Sequence, residues 1–235
     1  MSKKVKLSLI ISLVALVVIF GAFMIYVACG YKADDTADAL LEAENVDVMD
    51  GYIIVSPTTI SNGVGLVFYP GGNVEYTAYL PLLDAMAARG ITCYLVEMPF
   101  NMAIFDGNAA DKVLDVHGND HDAWYICGHS LGGSMASQYA SEHSDIVDGL
   151  ILLGSYPYKE YPLEDTLTIY GSLNTSVDEK VDYEENVYVI EGGNHAYFGN
   201  YGEQAGDPVG EISREDQQYD TVNIIMLWLL TRHGF

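Results

Sequence analysis

The sequence predicts an α/β domain: a mostly parallel twisted sheet with helices on both faces and minimal or no lid, preceded by one N-terminal transmembrane helix. Three observations carry this prediction. Residues 7–29 form an apolar run without a charge. From residue 51 onward, short apolar runs alternate with segments of helical spacing. A G-x-S-x-G sequence at Gly128–Gly132 joins one such run to a helix-forming stretch.

The N-terminal run, LSLIISLVALVVIFGAFMIYVAC, would rise about 35 Å as a helix, enough for a hydrocarbon core of about 30 Å. Lys3, Lys4 and Lys6 precede it, while Lys32, Asp34 and Asp35 follow. That asymmetry favours an inside N-terminus and an extracytoplasmic remainder. The reading is an uncleaved signal anchor over residues 1–30. Two alternatives stay open: a cleaved signal peptide, whose apolar stretch is usually shorter, and lipidation at Cys29 in the sequence Val27-Ala28-Cys29-Gly30.

Ten Lys+Arg stand against thirty-three Asp+Glu in the 235 residues, a formal charge of −23. Before Tyr31 the only charges are the three lysines. Residues 31–235 therefore hold seven basic residues and all thirty-three acids, a formal −26. A nucleic-acid partner is excluded by charge, because phosphates would be repelled. Half of the residues are apolar, which excludes a disordered chain. Three scattered cysteines do not make a disulfide framework or a four-ligand zinc cluster, and no acidic stretch follows a calcium-loop pattern. No metal and no cofactor is expected, and no protein partner is predicted.

Residues 31–50 (YKADDTADALLEAENVDVMD) read as an acidic linker or short surface helix, with the main domain at 51–235. Strand-like runs fall at 51–55, 63–69, 91–97, 123–127, 147–154, 166–170 and 186–191. Helical spacing falls at 75–89, 107–116, 130–142 and 213–233. Continuously apolar short strands alternating with helices imply a parallel sheet covered on both faces. About 185 residues suffice for one such core and leave little for a lid domain. The late run at 221–231 is too short to span a membrane and reads as a buried core helix.

In Trp124–Gly133 (WYICGHSLGG) the pattern Gly128-His-Ser130-Leu-Gly132 lies between an apolar strand and a helix. A serine on so tight a turn needs small neighbours two positions to either side, which Gly128 and Gly132 provide. Ser130 would then project from the C-terminal edge of the sheet, near a helix N-terminus that favours developing negative charge. Cys93 and Cys127 sit within strand-like runs and read as buried thiols.

The chain resembles the α/β-hydrolase superfamily, and within it the fold-5 group related to dienelactone hydrolases. Four stretches in the family's order carry the resemblance across residues 51–235: Tyr69-Pro-Gly-Gly72, Met98-Pro-Phe-Asn-Met-Ala103, Gly128-His-Ser-Leu-Gly-Gly133 and Gly192-Gly-Asn-His-Ala-Tyr-Phe-Gly199. The resemblance implies Ser130 as nucleophile and His195, on a late Gly-rich loop, as general base. It implies an oxyanion hole from the backbone amides of Leu131 and Gly72. The family's acid is expected after the strand TLTIY, where this sequence has Asn174 instead. Asp178, four residues on in the same loop, is the expected acid, with Asp165 as a further candidate.

Together these features predict a membrane-anchored serine hydrolase acting on a small-molecule ester or related acyl bond through an acyl-enzyme. Two other readings share the fold. One is an anchored binding module with impaired chemistry, which Asn174 keeps open. The other is an acyltransferase using the same residues.

Overall fold

The computed structural model describes residues 2–234, which fall into two compact units divided after Gly30. The first is a single helix, α1 (Lys3–Ala28), with Ser2 as its N-cap and no buried residue. Its 26 residues are long and apolar enough to cross a membrane.

The second unit is built on an eight-stranded sheet. In chain order the strands are β1 (Val46–Val48), β2 (Tyr52–Val55), β3 (Val64–Tyr69), β4 (Thr92–Val96), β5 (Ala123–His129), β6 (Gly149–Leu153), β7 (Thr166–Gly171) and β8 (Val187–Ile190). Their spatial order is β1-β2-β4-β3-β5-β6-β7-β8. β2 runs antiparallel to both β1 and β4, and every other pairing is parallel. α2 (Asp35–Ala39) precedes the sheet; α3 (Leu80–Ala87), α4 (Asp111–His117), α5 (Leu131–Glu142) and α6 (Thr175–Asp178) lie in its connections; and α7 (Arg214–His233) follows the last strand.

Successive strand residues point to opposite faces, so the buried strands feed two cores. Leu66, Phe68, Leu95, Cys127 and Ile151 pack with Leu83 and Met86 of α3 and with Val222, Ile225 and Leu229 of α7. Val67, Tyr69, Val96, Ile126 and Leu152 pack with Val113 of α4 and with Ala136, Tyr139 and Ala140 of α5. β5, the central strand, is buried at all seven positions, which is why it reads as a continuous apolar run.

Two expectations change. Of the two readings of residues 31–50, the short surface helix is present as α2, with only Ala37 buried, but the segment is not a linker: it also holds a 3₁₀ turn at Leu40–Glu42 and β1, all within the second unit. β1 has one buried and two exposed residues, too short a pattern to show periodicity, and its pairing with β2 alone makes it a strand. The segment 75–89 begins as a 3₁₀ turn (Tyr76–Tyr79) before α3 starts at Leu80, whose following Pro81 suits a first helical turn. α7 buries Trp228 and Leu229 while Leu227 and Leu230 stay exposed, so it is a core helix with one wet face.

Candidate active site

β5 delivers its last residue, His129, to the C-terminal edge of the sheet, and the chain turns into α5 through Ser130. Ser130 has φ 53° and ψ −121°, a strained conformation for a non-glycine residue. Its backbone N–H donates to Leu153 O of β6 at 3.0 Å, which pins the turn to the sheet. The flanking glycines are sterically required. A Cβ on Gly128 would lie 2.5 Å from the Gly132 carbonyl carbon, and a Cβ on Gly132 would collide with the Tyr69 and Pro70 carbonyl oxygens.

Across the turn, His195 lies just after the β8 edge strand and the Gly192–Gly193 bend. Its Nε2 is 2.9 Å from Ser130 Oγ, and its Nδ1 is 2.7 Å from the side-chain amide of Asn174. Asn174 is buried, and Ser176 Oγ bonds its amide oxygen at 2.9 Å. Asp178 does not reach the imidazole. Its carboxylate accepts from Tyr170 Oη at 2.8 Å, because α6 begins at Thr175 and turns residue 178 away from the loop tip. Asp165 is likewise committed elsewhere, paired with Arg232. The expectation of Asp178 as the partner of His195 is therefore corrected to Asn174.

The amide partner leaves the imidazole tautomer to be selected. With its NH₂ toward Nδ1, the orientation in this structure, the amide donates, and Nε2 carries the proton that faces Ser130. With its oxygen toward Nδ1, it accepts Nδ1–H and leaves the Nε2 lone pair to take the Ser130 proton. Ser176 satisfies both orientations, since a hydroxyl donates or accepts. Burial holds the His195 pKa below its ordinary value, against the opposing charge of Asp207.

Asp207 carried no signal in the sequence. Its two carboxylate oxygens accept the backbone N–H groups of His195 (3.2 Å) and Ala196 (2.8 Å). Gln217 of α7 holds the same loop: its side-chain oxygen accepts Asn194 N–H at 3.0 Å, and its NH₂ donates to Asn194 O at 2.9 Å. Asp207 sits in a surface loop, and Gln217 is a buried polar residue in a helix otherwise read for its apolar spacing.

His129 forms a second buried link. The carbonyl oxygen of His195 can only accept, so His129 Nε2, 2.9 Å away, donates to it. Nδ1 then accepts from Tyr79 Oη (2.8 Å), and Tyr79 Oη in turn accepts Gly71 N–H (3.0 Å). Burial, reinforced by the neighbouring His195, keeps the His129 pKa well below its usual value, so the ring is neutral. This chain ties the turn after β3, the serine turn and the histidine loop into one rigid edge. A Cβ on Gly72 would lie 2.8 Å from the Leu131 side chain, so the two expected oxyanion donors are neighbours.

The serine and histidine open into a cleft of about 780 Å³, whose lining includes Leu131, Asn174, Lys180 and Asp207. Cys93 and Cys127 are buried free thiols, and burial raises both pKa values. Among the described residues, no three His, Cys, Asp or Glu side chains gather as a metal site.

Solved structures share this architecture. TT1662 from Thermus thermophilus superposes with a TM-score of 0.55 at 14% identity, covering 78% of this chain and 97% of its own. Est1E from Butyrivibrio proteoclasticus gives 0.54 at 12%, covering 78% and 97%. A dienelactone hydrolase from Anabaena variabilis gives 0.52 at 16%, covering 74% and 90%. At such identities the likeness is one of fold. No curated protein sequence matches the chain. The family model described as the alpha/beta hydrolase family matches residues 65–219, well over half of the chain, and so this protein belongs to that family.

Proposed function

We propose that the protein is a serine hydrolase of ester or related acyl bonds, anchored by α1 with its N-terminus inside and its second unit extracytoplasmic. The observation that carries the chemistry is the 2.9 Å contact between His195 Nε2 and Ser130 Oγ on a strained strand-to-helix turn.

Ser130 attacks the acyl carbon as His195 takes its proton. The Leu131 and Gly72 backbone amides hold the resulting oxyanion, each donor lowering the barrier by about 3–4 kcal/mol in comparable sites. The N-terminus of α5 adds a favourable dipole. His195 then returns the proton to the leaving group, and water releases the acyl group by the reverse sequence. With its amide turned so that the oxygen accepts Nδ1–H and the NH₂ donates to Ser176 Oγ, Asn174 orients the imidazole without contributing charge. Asp207, bonded to the backbone of His195, supplies the negative field that the neutral amide lacks.

Fluorophosphonate labelling tests this reading. A single adduct mapped to Ser130 and absent in Ser130→Ala is the expected result. A folded protein that takes no label overturns it. The second reading, an anchored binding module with impaired chemistry, rests on Asn174 at the position of an acid. It predicts no labelling and no ester turnover, yet retained ligand binding in the cleft.

A further inference from the structure

The cleft at Ser130 adjoins a second cavity, a groove of about 370 Å³, and Tyr156 and Lys180 line both. One wall of the groove is the segment Tyr156–Tyr161, which starts three residues after Leu153, whose carbonyl holds the Ser130 N–H. Buried Ser137 of α5 clamps that segment. Its Oγ accepts N–H from Tyr158 (3.0 Å) and Lys159 (3.1 Å) and donates to Lys159 O (3.2 Å). Two tyrosines of the groove are tied by their hydroxyls: Tyr161 donates to Val147 O at 2.8 Å, and Tyr183 Oη lies 2.7 Å from Thr168 Oγ1. The walls are therefore set before a ligand arrives, which lowers the ordering cost of binding.

The two side chains at the junction are not committed in this way. Tyr156 is 37% exposed, and among the described residues neither its hydroxyl nor the Lys180 ammonium has a hydrogen-bond or ion-pair partner. Four of the seven basic residues after Gly30 pair with carboxylates, and Lys180 is not one of them. Around the groove Lys159 and Lys180 stand against Glu160 and Asp182, so the lining favours no net charge and offers donors and acceptors together. Lys159 Nζ already lies over the Tyr158 ring at 5.3 Å, which leaves Tyr156 as the exposed ring that the cleft shares. On the cleft side, Ser134, Ser155, Thr175 and Gln204 add hydroxyl and amide groups. An alkyl chain seated there would desolvate these groups without pairing them. A sugar matches them, because its hydroxyls both donate and accept and the C–H face of its ring packs on an aromatic side chain.

We propose that the scissile ester is carried by a carbohydrate. The ester-bearing sugar sits at Ser130, and the neighbouring sugar packs on Tyr156 and accepts a hydrogen bond from Lys180. This class rests on the serine hydrolase reading above. The acyl group passes to Ser130 Oγ as the sugar oxygen leaves with the His195 proton, and water then releases the acid. The balanced lining fits a neutral saccharide, and the acidity of the whole domain disfavours a polyanionic one.

The test uses the full chain in a polyoxyethylene detergent, whose headgroup carries no sugar. The substrates are cellotetraose and xylotetraose bearing a single acetyl ester, with n-octyl acetate as the ester that lacks a sugar. A tetrasaccharide ester is expected to exceed octyl acetate in kcat/KM by about tenfold or more. The ratio of the two values should fall by about tenfold in Tyr156→Ala and about fivefold in Lys180→Ala, and hold within about threefold in Tyr156→Phe, which keeps the ring. Calorimetric titration of Ser130→Ala with the unesterified tetrasaccharides reads binding without turnover, and adding Tyr156→Ala should abolish the heat. Octyl acetate cleaved as well as both tetrasaccharide esters overturns the substrate class, as does an unchanged ratio in Tyr156→Ala. Saccharide binding that depends on Tyr156, with no ester cleaved by the parent chain, supports the groove and overturns the hydrolase reading. Neither binding nor turnover overturns both.

Discussion

The two ends of the His195 imidazole are held by unlike means. At Nε2, Ser130 is fixed by backbone: a strained turn, two glycines that admit no Cβ, and an N–H bonded to β6. At Nδ1, the partner is a single buried side-chain amide whose own orientation depends on Ser176. One end is geometrically rigid, and the other is chemically adjustable. On the Ser130 side the two glycines admit no side chain without rebuilding the turn, whereas on the opposite side Asn and Asp occupy the same space. The comparison locates the weak point of the site at Asn174 rather than at Ser130.

The largest expected effect is on the rigid side. Ser130→Ala should lower kcat by about 10⁴ or more, and His195→Ala by a similar factor, with the double variant no worse than either. Additive losses in ester turnover would break the idea that the pair acts as a unit.

Asn174→Asp probes the adjustable side. A carboxylate at Nδ1 favours the productive tautomer and the imidazolium, and the reverse change in a serine protease costs about 10⁴. An increase in kcat of about tenfold or more is expected. The acid limb of the kcat/KM profile should move to higher pH, because the base must be neutral to act and the carboxylate raises its pKa. In the native site burial lowers that pKa, so activity should persist below pH 6.5. An unchanged profile in Asn174→Asp would show that Asn174 does not govern the imidazole.

Tyr79→Phe removes the donor to His129 and the acceptor for Gly71 N–H, leaving buried groups unpaired at a cost of about 1–3 kcal/mol. Thermal denaturation should register that loss. A fall in kcat of about tenfold with KM little changed would mark a positioning role.

His129 sets a smaller, pH-dependent effect. Its folded pKa is depressed, so below the ordinary value of 6.5 the unfolded chain binds the proton first. Its contribution to stability is present above pH 6.5 and is lost as pH falls below it. Tm measured between pH 7.5 and pH 5 should decline less in His129→Gln than in the parent. Asp178→Asn has the smallest effect. It alters only the contact with Tyr170, and ester turnover should stay within about twofold.

Legibility in the sequence followed the same division. The serine turn could be read because its constraints are local: glycines two residues away, an apolar strand before and a helix after. The alternating cores could be read because strand and helix periods are written along the chain. Asn174 was visible as a departure at the position expected to face His195, but that Asp178 turns to Tyr170 instead was not, because α6 starts one residue after Asn174 and carries Asp178 away. Asp207, Gln217 and Tyr79 left no trace, since each meets the site from a distant segment through one or two hydrogen bonds.

By itself the sequence determined the apolar N-terminal helix, the order of strands and helices, the turn at Ser130 and the acidity of all that follows Gly30. These depend on neighbours within a few residues, where periodicity and steric demand act directly. Only the tertiary structure decided which polar group faces the imidazole, that residues 31–50 fold onto the domain, and that Tyr156 and Lys180 line both the cleft and the groove beside it. Those outcomes depend on which loops the closed sheet brings together at its C-terminal edge, and a hydrogen bond between residues 21 positions apart has no local signature.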